Sequence, residues 1–138
     1  MKPEVVKCDS ENEFVTPERC FISETWNSSN DEMLSIARAR VEPGVVTALH
    51  HLKGVTERYL ITSGKGTVEA GDLPPTEVDI GDVVIIPAGI PQRITNTGET
   101  DLIVYCICTP RFSPDCYHNL EKESFTTRNG QRLALGRP

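Results

Sequence analysis

GVVTALHHLKGVTERYLITSG, residues 44–64, and GDVVIIPAGIPQRITN, residues 81–96, decide the fold of this 138-residue chain. Each stretch is rich in Val, Ile and Thr and is framed by glycine, the composition of short strands between tight turns. Side chains alternate across a strand, so Val46, Ala48, His50 and Leu52 share one face and Glu57, Tyr59 and Ile61 share another. Lys53-Gly54-Val55-Thr56 reads as a hairpin connection that sets His50 opposite Glu57. In the second stretch Gly81-Asp82 turns the chain into VVII, and Pro87-Ala88-Gly89-Ile90-Pro91 reverses it rigidly. Gln92 then opens a strand with Ile94 and Asn96 on its face. An imidazole and a carboxylate facing inward are costly to bury unless they are paired, hydrated or metal-bound.

The same pattern extends outward. Residues 19–24, 34–41, 46–52, 57–61, 66–70, 77–80, 83–86, 92–96 and 102–108 read as short strands separated by Gly, Pro, Asn and Asp. Many short strands at close spacing predict an all-β sandwich or barrel. Ser113-Pro114-Asp115 carries a helix-start signal, so residues 111–123 are expected to hold a short helix. Residues 124–138 are polar and weakly patterned and read as a poorly ordered tail or a surface arm. The length suits a single domain, with its barrel core at about residues 34–110.

Residue by residue, the two stretches resemble the paired motifs of the cupins, small β-barrels that often hold a divalent metal. Cupins typically show Gly, five residues, His-x-His, three or four residues, Glu, six residues, Gly. Here Gly44, His50, Glu57 and Gly64 stand at those intervals, and Leu52 replaces the second His. The second motif is Gly, five residues, Pro-x-Gly, two residues, His, three residues, Asn. Gly81, Pro87, Gly89 and Asn96 match it, and Gln92 replaces the His. The resemblance spans residues 35–110. It implies a cupin-type double-stranded β-helix, or jelly roll, with His50, Glu57 and Gln92 as a reduced ligand set for Mn, Fe, Ni or Zn. His51 falls on the opposite strand face and reads as a surface or interface histidine unless a bulge shifts the register.

Around this set, Tyr59 points the same way as Glu57 and is the candidate acid beside it. Arg111, just past the last barrel strand, is a candidate for recognising a carboxylate or phosphate, or else pairs with an acidic neighbour. Gln92 offers hydrogen bonds to a ligand. Glu24 and Trp26 are placed to border the pocket or a dimer interface, and Arg93 to face outward. Cys106 and Cys108 lie on one face of an apolar strand and read as buried thiols.

Net charge is −6 and the pI is near 5.0, which gives no electrostatic reason to expect nucleic acid or an anionic membrane as partner. No apolar run is long enough to span a bilayer, and the N-terminus lacks a signal-peptide core. Five cysteines, an odd count, argue against a disulfide framework. The expected location is the cytoplasm. Exchange of residues 19–26 between subunits would close an open sheet edge, so a homodimer is expected. Two functions follow from the resemblance. One is a metal-dependent isomerase, lyase or dioxygenase acting on a small oxygen-rich metabolite, with Glu57 and Tyr59 catalytic. The other is a barrel that binds a sugar or organic acid without turnover and without a tightly held metal.

Overall fold

The computed structural model describes residues 1–121 and the backbone of residues 124–126 and 132–134. The chain forms a jelly roll of two facing antiparallel sheets. The larger sheet carries β1 (Phe14–Val15), β2 (Phe21–Trp26), β3 (Ser35–Val41), β10 (Leu102–Thr109), β5 (Thr56–Ser63) and β8 (Val83–Ile86), in that spatial order. The smaller carries β11 (Tyr117–Asn119), β4 (His50–Leu52), β9 (Gln92–Asn96), β6 (Gly66–Ala70) and β7 (Thr76–Val78). Ser124–Thr126 and Arg132–Ala134, β12 and β13, pair with each other. No helix of the described residues is long and apolar enough to cross a membrane.

Strict alternation builds the interior. Along β5, Glu57, Tyr59 and Ile61 are buried, and along β9 Gln92, Ile94 and Asn96 are. Tyr59 lies beside Cys106 of β10 and Val84 of β8, and Glu57 beside Cys108 and Ile86. Two apolar clusters fill the barrel. The larger includes Val41, Tyr59, Ile61, Ile86, Ile94, Leu102 and Val104; the smaller joins Leu52, Val55, Cys108 and Cys116, with Phe112 and Tyr117 packed on it.

The expected hairpins are corners between sheets. β4 pairs with β9 and β11, whereas β5 pairs with β10 and β8. Residues 53–55 therefore carry the chain across the barrel, and His50 and Glu57 approach from opposite sheets. Residues 87–91 do the same between β8 and β9. The Gly89 N–H donates to the Leu52 carbonyl at 2.8 Å, so the two corners brace each other. Asn96 holds the end of β9, its amide donating to the carbonyls of Val41 and Thr100, both at 2.8 Å. Gly66 is required by space: a Cβ there would lie 2.5 Å from the Thr95 carbonyl oxygen.

Several elements differ from expectation. The strand expected over 46–52 is regular only from His50, with Val46 making an isolated bridge to Thr95. The helix expected over 111–123 is a single 3-10 turn, Pro114–Cys116, with Pro114 at its start; Tyr117–Asn119 then pairs with β4. Residues 122 and 123 lie outside the described residues. So does much of the tail, though β12 and β13 give part of it regular backbone. Within the single chain described, β2, which lies in the segment 19–26 expected to exchange between subunits, pairs with β3. All five cysteines are free.

Candidate ligand site

A cavity of about 170 Å³ lies between the sheets, its walls drawn from both apolar clusters. An apolar protein cavity of roughly 150 Å³ is enough to take up benzene, so this one matches a single ring-sized molecule. Its polar lining includes His50 of β4, Glu57 and Tyr59 of β5, Tyr117 of β11 and Glu18 of the turn before β2, besides Glu24, Asn27 and several Ser and Thr side chains.

His50 is buried, and its Nδ1 lies 2.8 Å from the Ala48 carbonyl oxygen. A carbonyl only accepts, so Nδ1 carries the proton, and in the uncharged ring Nε2 is the acceptor. The Tyr117 ring stacks on the imidazole at 4.9 Å and fixes its plane.

Glu57 is only 7% exposed. One carboxyl oxygen, Oε2, accepts a weak bond from the Cys108 thiol at 3.6 Å, and the other, Oε1, has no hydrogen-bond partner. Burial pushes its pKa up; His50 pulls the other way, the Glu18 carboxylate adds to the rise, and the Gln92 amide opposes it. A carboxyl of this kind is a proton donor at a pH where an exposed one is ionised.

Tyr59 faces the cavity, but its hydroxyl donates to Gln92 Oε1, and burial holds its pKa well above the usual phenol range. Gln92 is His50's neighbour across the β4–β9 ladder. At 1% exposure it sits behind Tyr59 and is not part of the cavity lining. Arg111 does not line the cavity either. Its guanidinium pairs with Glu32 at 3.3 Å and donates to Asn27, which does line it, at 3.2 Å. His51 is half-buried and stacks on His118 of β11 at 5.0 Å. Arg93 pairs with Glu69 at 2.7 Å on the smaller sheet, and Trp26 donates to Asp31. Glu24 lines the cavity from an exposed position, as its place in the sequence suggested.

Glu18 escaped the sequence reading. Arg19 has a φ of 69°, a left-handed conformation unusual for a side chain other than glycine. It closes a turn in which the Thr16 N–H donates to the Cys20 carbonyl at 2.8 Å. The Arg19 side chain leaves the barrel to grip Glu121 at 2.7 Å and the Val46 carbonyl at 2.9 Å. Glu18 is thereby turned the other way, its Oε2 3.8 Å from His50 Nδ1. Burial pushes its pKa up, and His50 opposes the shift. No motif spacing marks this residue. The only local signal is a Pro17-Glu18-Arg19 turn ahead of a strand.

The ligand set His50, Glu57 and Gln92 does not fit a resident divalent ion. Among the described residues no group of three or more His, Cys, Asp and Glu side chains is placed to hold one. Leu52 contributes an apolar wall, and the Gln92 oxygen is occupied by Tyr59. One imidazole and one carboxyl are a poor donor set for the metals that take several nitrogen and carboxylate ligands.

Known proteins share this architecture. A conserved protein of Klebsiella pneumoniae with a double-stranded β-helix domain superposes with a TM-score of 0.70 at 18% identity, over 86% of this chain and 100% of that one. A predicted oxalate decarboxylase of Thermotoga maritima gives 0.61 at 25% identity, over 66% and 80% of the two chains. KdgF of a Halomonas species gives 0.64 at 15% identity, over 72% and 88%. No curated protein matches the chain. The sequence pattern described as a cupin domain matches residues 37–108, more than half its length.

Proposed function

This chain belongs to the cupin-domain family, and on that premise we propose that its barrel binds one small organic molecule without a tightly held metal ion. The observation that carries this is Glu57 Oε1, a buried acceptor with no partner in a ring-sized cavity, beside an imidazole of fixed tautomer. An unsatisfied buried polar atom costs on the order of 1–3 kcal/mol, and a ligand donor removes that cost. His50, Glu57 and Glu18 are the ligand-facing groups. Tyr59 and Gln92 hold each other and brace the Glu57 side of the site.

A panel of neutral and charged fragments of up to about ten heavy atoms tests this by thermal shift. A ligand at one hundred times its Kd adds about 2.7 kcal/mol, on the order of 10 °C for a chain of this size. Hits are expected, they should compete with one another, and a chelator should leave their effect intact. A silent panel, or hits abolished by chelation, would remove the proposal.

One observation favours turnover as a second reading. Glu57, biased toward the protonated form, and His50, whose Nε2 accepts, face one cavity from opposite sheets. That pair can give a proton to a bound molecule at one atom and take one from another, the chemistry of an isomerase or lyase. The likeness to a predicted oxalate decarboxylase is compatible with an enzyme, though the acidic site described above does not suit an anionic substrate.

The homodimer also stands as a proposal. β8 is a sheet edge, and its outward residues Val83 and Ile85 are 56% and 64% exposed. An apolar edge strand of this kind is a pairing surface. Light scattering at micromolar concentration should give twice the chain mass, and a monomer there would discard it.

A further inference from the structure

We propose that the cavity's ligand is a small amine, an apolar body of ring size carrying one protonated nitrogen, and that Glu18 and Glu57 receive that nitrogen. This narrows the binding reading above and rests on it. The charge inventory of the lining points one way. Glu18, Glu24 and Glu57 line the cavity, and among the described residues no Lys or Arg does. A carboxylate or phosphate entering would find no lysine or arginine to neutralise it in a low-dielectric space, where an unpaired charge is most costly.

The neighbouring arginines are committed elsewhere. Arg19 turns outward to Glu121, Arg111 to Glu32, and Arg38 and Arg40 to Glu13. The Glu18 oxygen nearest His50 is 3.8 Å from a nitrogen already bonded to the Ala48 carbonyl, too far for a hydrogen bond. Glu57 Oε1 is the independent sign of a missing donor, because it is buried and unpartnered in the same cavity. An ammonium supplies up to three donors, enough to reach carboxyls from two elements at once. The rings of Tyr59, Tyr117 and Phe112 line the rest of the space and suit both an apolar body and a cation.

Three probes of nearly equal shape and different head charge test this: benzylamine, benzyl alcohol and benzoate, titrated calorimetrically into the full chain at neutral pH. Benzylamine is expected to bind at least about ten-fold tighter than benzyl alcohol, with no heat from benzoate. Glu18→Gln should weaken benzylamine about ten-fold more than it weakens benzyl alcohol, at a Tm no lower than that of the parent chain. Glu57→Gln should weaken benzylamine as well, which secures the test should the Glu18 variant fold poorly. Benzoate binding as tightly as benzylamine, an alcohol equal to the amine, or an amine indifferent to both substitutions would overturn the inference. If the fragment panel gives hits while the amine is silent, the inference alone falls. If both are silent, the binding reading falls with it.

Discussion

Glu57 is a buried carboxyl whose charged form the barrel interior disfavours. Its folded-state pKa lies above its unfolded value, chiefly through burial. The unfolded chain therefore gives up this proton at lower pH than the folded one. The stabilising contribution is complete below the ordinary carboxyl range and is lost as pH rises through the folded pKa. Glu18 acts in the same direction. Glu57→Gln is expected to raise the Tm at neutral pH and to flatten the fall of Tm above pH 5; melts across pH 4–9 measure it, and an unchanged slope would count against the assigned burial. Tyr59→Phe strips Gln92 Oε1 of its donor. It should cost about 1–3 kcal/mol, on the order of 4–10 °C, read in the same melts. His50 and Glu57 were legible in the sequence because strand period and motif spacing both pointed them inward. Glu18 was not, since the turn that aims it depends on Arg19 reaching Glu121, a residue distant in sequence.

The strands follow their patterns where both faces are decided locally. Gly66–Ala70, Val83–Ile86 and Gln92–Asn96 fall where the alternation placed them. Tyr117–Asn119 does not. Ser113-Pro114 does start a helical turn, but three residues later the edge of β4 offers Leu52, His51 and His50 as ladder partners. A short helix with no packing partner cannot compete with a paired edge. Two glycines separate space from conformation. Gly66→Ala puts its Cβ 2.5 Å from the Thr95 carbonyl, against backbone that cannot easily shift, whereas Gly54, at a φ of 73°, has open space around it. Gly66→Ala is expected to cost at least about 2–3 kcal/mol, in the range of severe overpacking. Gly54→Ala should cost only the left-handed penalty, about 1–2 kcal/mol. Chemical denaturation of both variants gives the order, and equal losses would refute it. The corner carrying Gly54 also shows why the hairpin expectation failed: a three-residue connection can join strands within a sheet or pass between sheets, and only the neighbours β9 and β10 choose.

At the scale of the molecule, the barrel matches its family in backbone and departs from it in the donor set. Elemental analysis of purified chain should find Mn, Fe, Ni and Zn well below one per chain. Chelator treatment should leave the Tm within about 1 °C, the reverse of what a structural metal produces. A stoichiometric metal lost on His50→Ala would restore the metal-dependent reading. The sequence by itself determined an all-β sandwich or barrel, because glycine and proline fix where the chain turns and the two-residue period fixes which side chains face inward; the jelly roll came from the resemblance of its two motifs to those of the cupins. It also determined that an imidazole and a carboxyl share that interior. Only the tertiary structure decided which groups are free to meet a ligand. Gln92 is withdrawn behind Tyr59, Arg111 is held by Glu32, and Glu18 is brought in by a distant ion pair. Hydrogen bonds and charge pairs between residues far apart in sequence have no period or spacing, so they arise only once the two sheets close on each other.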